Sequence, residues 1–185
     1  MDETKTYLVI DLEATCDDQG GVPRHEMEII EIGAVLVAAD TLAPLDEWQS
    51  FVRPVRHPEL TPFCTKLTSI SQAQVDTAPG FVDALTALCD WFGKTGDFPM
   101  TFCSWGDYDR HQFKQDCGHH GVDYPLPSQH LNVKKAFSAA LGLKRKFGMA
   151  GALKKVGLPL EGTHHRGIDD ARNIAKLLPY ALGRQ

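Results

Sequence analysis

The chain has 185 residues, 43% of them hydrophobic, and carries 19 Lys and Arg against 24 Asp and Glu. That length supports one full core and is short for two, so a single domain over residues 1–185, with its core at about 6–182, is expected. No apolar run approaches the ~20 residues needed to cross a bilayer, and Met1-Asp2-Glu3-Thr4-Lys5 lacks the apolar stretch of a signal peptide, which argues against a membrane partner.

In chain order, residues 6–11 read as a first strand, "EIIEIGAVLV" (28–37) as a second, and "EWQSFVRP" (47–54) as a third that stops at Pro54. The short spacings between them favour an antiparallel meander. Residues 56–79 are polar and turn-rich, with a short helix around 71–75. Phe81, Leu85, Leu88 and Phe92 recur at helical spacing and predict a helix over 81–92. "MTFCSW" (100–105) is a fourth strand, and 107–118 a helix ended by Gly118. A short fifth strand at 129–133 runs into a helix at 134–141; further helices cover about 149–156 and 168–182. A meander followed by alternating helices and strands implies an α/β domain, a mixed five-stranded sheet flanked by helices.

The five cysteines (16, 64, 89, 103 and 117) are odd in number and scattered, and read as reduced thiols of a cytoplasmic protein. Cys117-Gly118-His119-His120 has no second Cys/His pair at finger spacing and reads as a surface loop. Charge is unevenly spread. Between Tyr124 and Leu160 there is no acid, yet there are seven cations: Lys134, Lys135, Lys144, Arg145, Lys146, Lys154 and Lys155. Such a stretch is either a solvated basic face or a track for a polyanion.

Asp11 and Glu13 follow the apolar run Tyr7–Ile10 with one leucine between them. Residues two apart on a strand share a face, so two carboxylates stand side by side against an apolar core. Like charges and burial both penalise that arrangement unless a cation is shared. Helix geometry supplies two more acids. Asp109 shares a stripe with Phe113 and Cys117 and points inward, whereas Asp107 reads as a helix N-cap. Asp170 lines up with Ile174, Leu177 and Leu178; Asp169 falls with Arg172, Asn173 and Lys176 on the wet face. Four inward carboxylates, Asp11, Glu13, Asp109 and Asp170, suit two divalent ions, Mg²⁺ or Mn²⁺, that clamp an in-line phosphoryl displacement. His165, in the loop before Asp170, offers an imidazole suited to a general base, with His164 beside it as a competitor.

D-x-E on a first strand, a mid-chain Asp at a helix start and H-x4-D near the C-terminus resemble the histidine subtype of the DEDD exonucleases. "DLEATC", "EIIEIGAVLV", "FVRP", "LTPFCTKLTSISQAQVDTAPGF", "WGDYDRHQF", "LNVKKAF" and "HRGIDDARNIAKLL" resemble, in order, the Eri-1-like 3'-to-5' exoribonucleases. The resemblance spans about residues 6–180 and implies a ribonuclease-H-like fold and two-metal cleavage from the 3' end, releasing nucleoside 5'-monophosphates. It makes Asp11, Glu13, Asp109 and Asp170 the metal ligands and selects His165 over His164 as the base. It also sets the Ala14-Thr15 backbone against the terminal sugar. Phe63, Leu67 and Tyr108 are the candidate walls for the terminal base, and Lys144, Arg145 and Lys146, from the acid-free stretch, the candidate nucleic-acid track. The implied partner is a nucleic acid with a free 3' end, RNA favoured over DNA, with no obligate protein partner. Members often attach an RNA-binding domain, for which 185 residues leave no room. A DNA 3' exonuclease and a silent nucleic-acid-binding module are the rivals; the intact set of five site residues argues against the second.

Overall fold

The computed structural model of the chain describes residues 4–184; Met1-Asp2-Glu3 of the charged start lies outside the described residues. Five strands form one mixed sheet in the order β3-β2-β1-β4-β5. β1 (Thr6–Ala14) is central, antiparallel to β2 (Ile29–Ala38) and parallel to β4 (Met100–Ser104). β3 (Pro44–Phe51) extends the meander at one edge, and β5 (His130–Asn132) runs parallel to β4 at the other. The described helices are α1 (Pro62–Thr68), α2 (Gln72–Asp76), α3 (Phe81–Thr95), α4 (Tyr108–His120), α5 (Val133–Ala140), α6 (Met149–Lys155) and α7 (Gly167–Ala181). This is the α/β layering expected from the sequence.

The period of two along β1 divides the core. Leu8, Ile10 and Leu12 face one cluster with Phe102, Phe113 and Leu88. Tyr7 and Val9 face the other, with Phe137, Ile174 and Leu177. A central strand buried on both faces is necessarily a continuous apolar run. Asp11 and Glu13 continue the second row, so the alternation that buries Tyr7 and Val9 under α7 also aims both acids at the start of that helix.

Several boundaries differ from those expected. β1 does not stop at Asp11. It pairs on through Asp11 opposite Gly33 and Glu13 opposite Glu31, so both acids are held by a ladder rather than a turn. β3 starts and ends three residues early, because it is an edge strand whose first four residues are exposed and carry no readable alternation. Helix α1 was not anticipated. Thr61 caps it by accepting from the Cys64 N–H at 3.0 Å, Pro62 opens it, and Ser69 ends it at φ 59°. α4 passes through Gly118 and ends at Gly121, whose φ of 65° suits a left-handed cap. Cys117-Gly118-His119-His120 is therefore the last helical turn, not a loop. The Asp107 side chain caps no N–H; it accepts instead from Asn132 Nδ2 at 2.9 Å and Lys135 Nζ at 3.1 Å. Asn173 is fully buried rather than wet, with its amide donating to the Glu161 carbonyl at 2.8 Å.

Two glycines let α7 approach the sheet. A Cβ at Gly33 would lie 2.1 Å from the Gly167 carbonyl carbon, and one at Gly167 would lie 3.0 Å from the Asp11 carbonyl oxygen. The backbones therefore touch where α7 begins. Gly33→Ala should lower stability by about 3 kcal/mol or prevent folding, as expected of forced overpacking against backbone. Gly118→Ala, exposed on α4 with open space around its Cβ, should raise stability by about 0.5–1 kcal/mol. Denaturant unfolding of the two variants checks both signs.

Candidate active site

Four carboxylates line one open cleft with His164 and His165: Asp11 and Glu13 from β1, Asp109 from the first turn of α4, and Asp170 from the first turn of α7. One oxygen each from Asp11, Glu13 and Asp170 lies within 4.8 Å of the others. Asp109 stands beside them, turned so that Oδ1 accepts the Leu12 N–H at 3.1 Å. Glu13, Asp109 and Asp170 are buried, and Asp11 nearly so.

The electrostatics are those of a crowded, uncompensated group. Burial raises the Asp11 carboxyl well above the usual range, and Asp109, Glu13 and Asp170 raise it further. Burial, then Asp170 and Glu31, pushes Glu13 up to about 9. Asp109 is pushed up to about 7 by burial, against the backbone N–H groups that it accepts. Asp170 is raised by burial and held back by the His165 N–H and the His164 ring. The guanidinium near the cluster serves Glu31, not these acids. An all-oxygen donor set with excess negative charge and, among the described residues, no lysine or arginine in its lining fits hard divalent cations.

The two histidines are differently engaged. His164 Nδ1 lies 2.9 Å from Asp170 Oδ2, and the His165 N–H donates to the same oxygen at 3.0 Å. The rings stack with centroids 4.0 Å apart. Among the described residues the His165 ring has no hydrogen-bond partner, and burial followed by His164 lowers its pKa. Its backbone is turned to φ 65°, unusual for a residue other than glycine, which sets both rings on the cleft side of the loop.

Glu31 is a functional residue that the sequence reading missed. It is fully buried and accepts from Arg166 Nε at 3.0 Å, Arg166 Nη2 at 3.3 Å, the Gly167 N–H at 3.0 Å and Gln49 Nε2 at 3.2 Å. It thus fixes the end of the histidine loop and the first N–H of α7 directly across the ladder from Glu13. The only signal was an acid inside an otherwise apolar strand. Met27, Trp105, Gly148 and Met149 were also missed as cleft walls. The Met27 carbonyl accepts from Arg56, Gln112 and Gln115 at 3.1, 2.8 and 2.9 Å, which immobilises that wall.

The expected nucleotide contacts divide. Ala14, Leu67 and Tyr108 line the cleft. Thr15 does not. It is buried, its N–H donates to the Glu28 carbonyl at 2.8 Å and its hydroxyl accepts the Glu28 N–H at 2.9 Å, so its backbone donor is not left for a sugar. Phe63 lies one turn before Leu67 on α1, half-buried and outside the lining. Lys144, Arg145 and Lys146 are exposed in the loop that leads into Gly148 at the cleft wall.

Comparison with known proteins agrees with this geometry. A family model described as Exonuclease (RNase_T) matches residues 8–178. Human ERI1 exoribonuclease 3 is 37% identical over 181 residues, covering 93% of this chain and 52% of that protein. Human 3'-5' exoribonuclease 1 is 33% identical over 175 residues, covering 91% of this chain and 50% of that one. The crystal structure of the nuclease domain of 3'hExo, a DEDDh family member, bound to rAMP, superposes with a TM-score of 0.89 at 31% identity, covering 97% of this chain and 92% of that chain. The chain belongs to this exonuclease family, and its fold is the ribonuclease-H-like sheet of the DEDDh enzymes. It spans about half the length of the curated relatives that it matches.

A stability profile follows from the raised carboxyls. Without metal the folded protein keeps protons that the unfolded chain releases near pH 4, so stability is full below that range and falls as pH rises towards about 9, where Glu13 ionises. Denaturant unfolding in EDTA from pH 4 to 9 should show this decline. Asp11→Asn should shrink it and be the more stable protein at pH 8; a flat wild-type profile would contradict the charge cluster.

Proposed function

We propose that this chain is a 3'-to-5' exonuclease acting on single-stranded RNA. Water attacks the terminal phosphodiester, the bond from phosphorus to the preceding 3' oxygen breaks, and a nucleoside 5'-monophosphate leaves while the strand regains a 3' hydroxyl. The observation that carries this is the convergence of Asp11, Glu13 and Asp170 within 4.8 Å, with Asp109 on the same cleft. Those four would hold two divalent ions, Mg²⁺ or Mn²⁺. When bound, such ions offset charge on the phosphoryl oxygens and lower the pKa of water.

The chain's own groups do the rest. His165, whose ring is free and whose basicity burial lowers, is held neutral and accepts the proton of the attacking water. His164 is tied to Asp170 and serves to orient it. Leu67 and Tyr108 enclose the terminal base, a contact that tolerates any sequence. The backbone of Ala14, in the lining of the cleft, reads the sugar, where a 2' hydroxyl separates RNA from DNA. Lys144, Arg145 and Lys146 draw the rest of the strand towards the cleft. The names of the relatives as exoribonucleases support RNA as the substrate.

Strands labelled at the 5' end, in RNA and in DNA, test the proposal. Wild type with Mg²⁺ should shorten RNA one nucleotide at a time from the 3' end, and more slowly when the last sugar is 2'-deoxy. Asp170→Ala should abolish turnover, and His165→Ala should lower kcat by roughly 10²–10⁴-fold, the range for a placed acid–base group, with His164→Ala far milder. Faster cleavage of DNA would make it a DNA exonuclease; binding without cleavage would make it a silent module.

A further inference from the structure

Trp105 has no part in the mechanism above, yet it lines the same cleft as the four carboxylates. It follows β4 directly and is half-buried, with its position fixed from two directions. Its ring packs at a 59° tilt on Phe137, centroids 5.9 Å apart, and its indole N–H donates to the Phe147 carbonyl at 3.2 Å. Beyond it the Arg145 guanidinium lies over the Phe147 ring, 4.7 Å from the centroid. Lys144 and Lys146 flank that residue and are exposed. Going outward from the acids, the surface therefore offers an indole, then a phenyl capped by a cation, then free cations. Alternating aromatic and basic groups suit a single strand, whose bases stack while its phosphates pair.

Polarity comes from the reaction. Hydrolysis parts the terminal nucleotide, which keeps the phosphate, from the nucleotide before it, which keeps the new 3' hydroxyl. The two must sit on different sides of the reacting phosphate. Leu67 and Tyr108, on α1 and α4, take the terminal base. Trp105, Gly148 and Met149 belong to the opposite layer, with Met149 in the core cluster of α5 and α7 and Trp105 packed against it. Resting on the exonuclease reading, we propose that Trp105 is the stacking platform for the base preceding the scissile phosphate. Its hydrogen bond to Phe147 joins that platform to the basic loop, so the strand leaves the cleft over Phe147 and Arg145.

The test compares uridylate strands of two, three and six nucleotides with the methyl ester of uridine 5'-monophosphate, which has neither a preceding base nor an aromatic leaving group. Trp105→Ala should raise KM for the hexamer roughly ten-fold, the order of one lost base stack, with kcat little changed. The ester should lose less than about two-fold, and Trp105→Phe should recover most of the loss. Fluorescence gives a reading independent of turnover. Trp48 and Trp91 stack on each other with centroids 6.4 Å apart, where α3 packs on β3, so hexauridylate should quench wild type and not Trp105→Phe. Equal losses on ester and hexamer, or no loss on either, would overturn the proposal. If wild type cleaves nothing, the nuclease reading fails, and quenching still decides whether a strand lies on Trp105: its presence supports the platform and its absence overturns it.

Discussion

Mutual repulsion among Asp11, Glu13 and Asp170 is the constraint around which this fold is arranged. With carboxylate oxygens within 4.8 Å, each ionised pair repels by at least about 3.5 kcal/mol at an effective dielectric of ~20. Among the described residues no lysine or arginine on the cluster itself offsets that. The same alternation that buries Tyr7 and Val9 beneath α7 forces Asp11 and Glu13 to face the helix that brings Asp170. The sheet cannot keep its core and release its acids. A cation is the species that turns this enforced crowding into a favourable contact.

Holding the opposite wall in place against that repulsion falls to neutral contacts and to one charge pair set apart from the site. Gly33 and Gly167 let the backbones of β2 and α7 meet, where any side chain would drive them apart. Glu31, buried without exposure, accepts the Gly167 N–H and two bonds from Arg166, tying the histidine loop to the strand across from Glu13. Arg166 thereby spends its charge on Glu31 rather than on the four cleft carboxylates, which leaves them without a cationic side chain. On the far side, buried Glu28 accepts three successive N–H groups from Val55, Arg56 and His57, and Arg56 reaches on to Asp116 and the Met27 carbonyl. Both walls are therefore fixed by buried acids satisfied through hydrogen bonds.

The inward face of the four acids and the three-stranded meander were legible because they depend on short-range periodicity and short connections. Period two placed Asp11 with Glu13, and period 3.6 separated Asp109 from Asp107 and Asp170 from Asp169. What failed depends on partners distant in sequence. Asp107 stands where a cap belongs, but Lys135 and Asn132 draw its carboxylate away. Gly118 looks like a stop, yet Gly121 has the left-handed backbone that ends the helix. Thr15 follows the motif, but it is buried outside the cleft with its N–H given to the Glu28 carbonyl. Glu31 was hidden because an acid in an apolar strand gives no hint of an arginine 135 residues later. Trp105 likewise reads as ordinary strand-end packing until α5 and the loop carrying Phe147 are set beside it.

Calorimetric titration of the metal-free protein with Mn²⁺ most directly tests the claim that the carboxylate cluster exists to hold cations. Wild type should bind two ions per chain, and Asp11→Asn should lose at least one of them while its circular dichroism stays native. Binding of no ion by wild type, or an unchanged stoichiometry in Asp11→Asn, would contradict it.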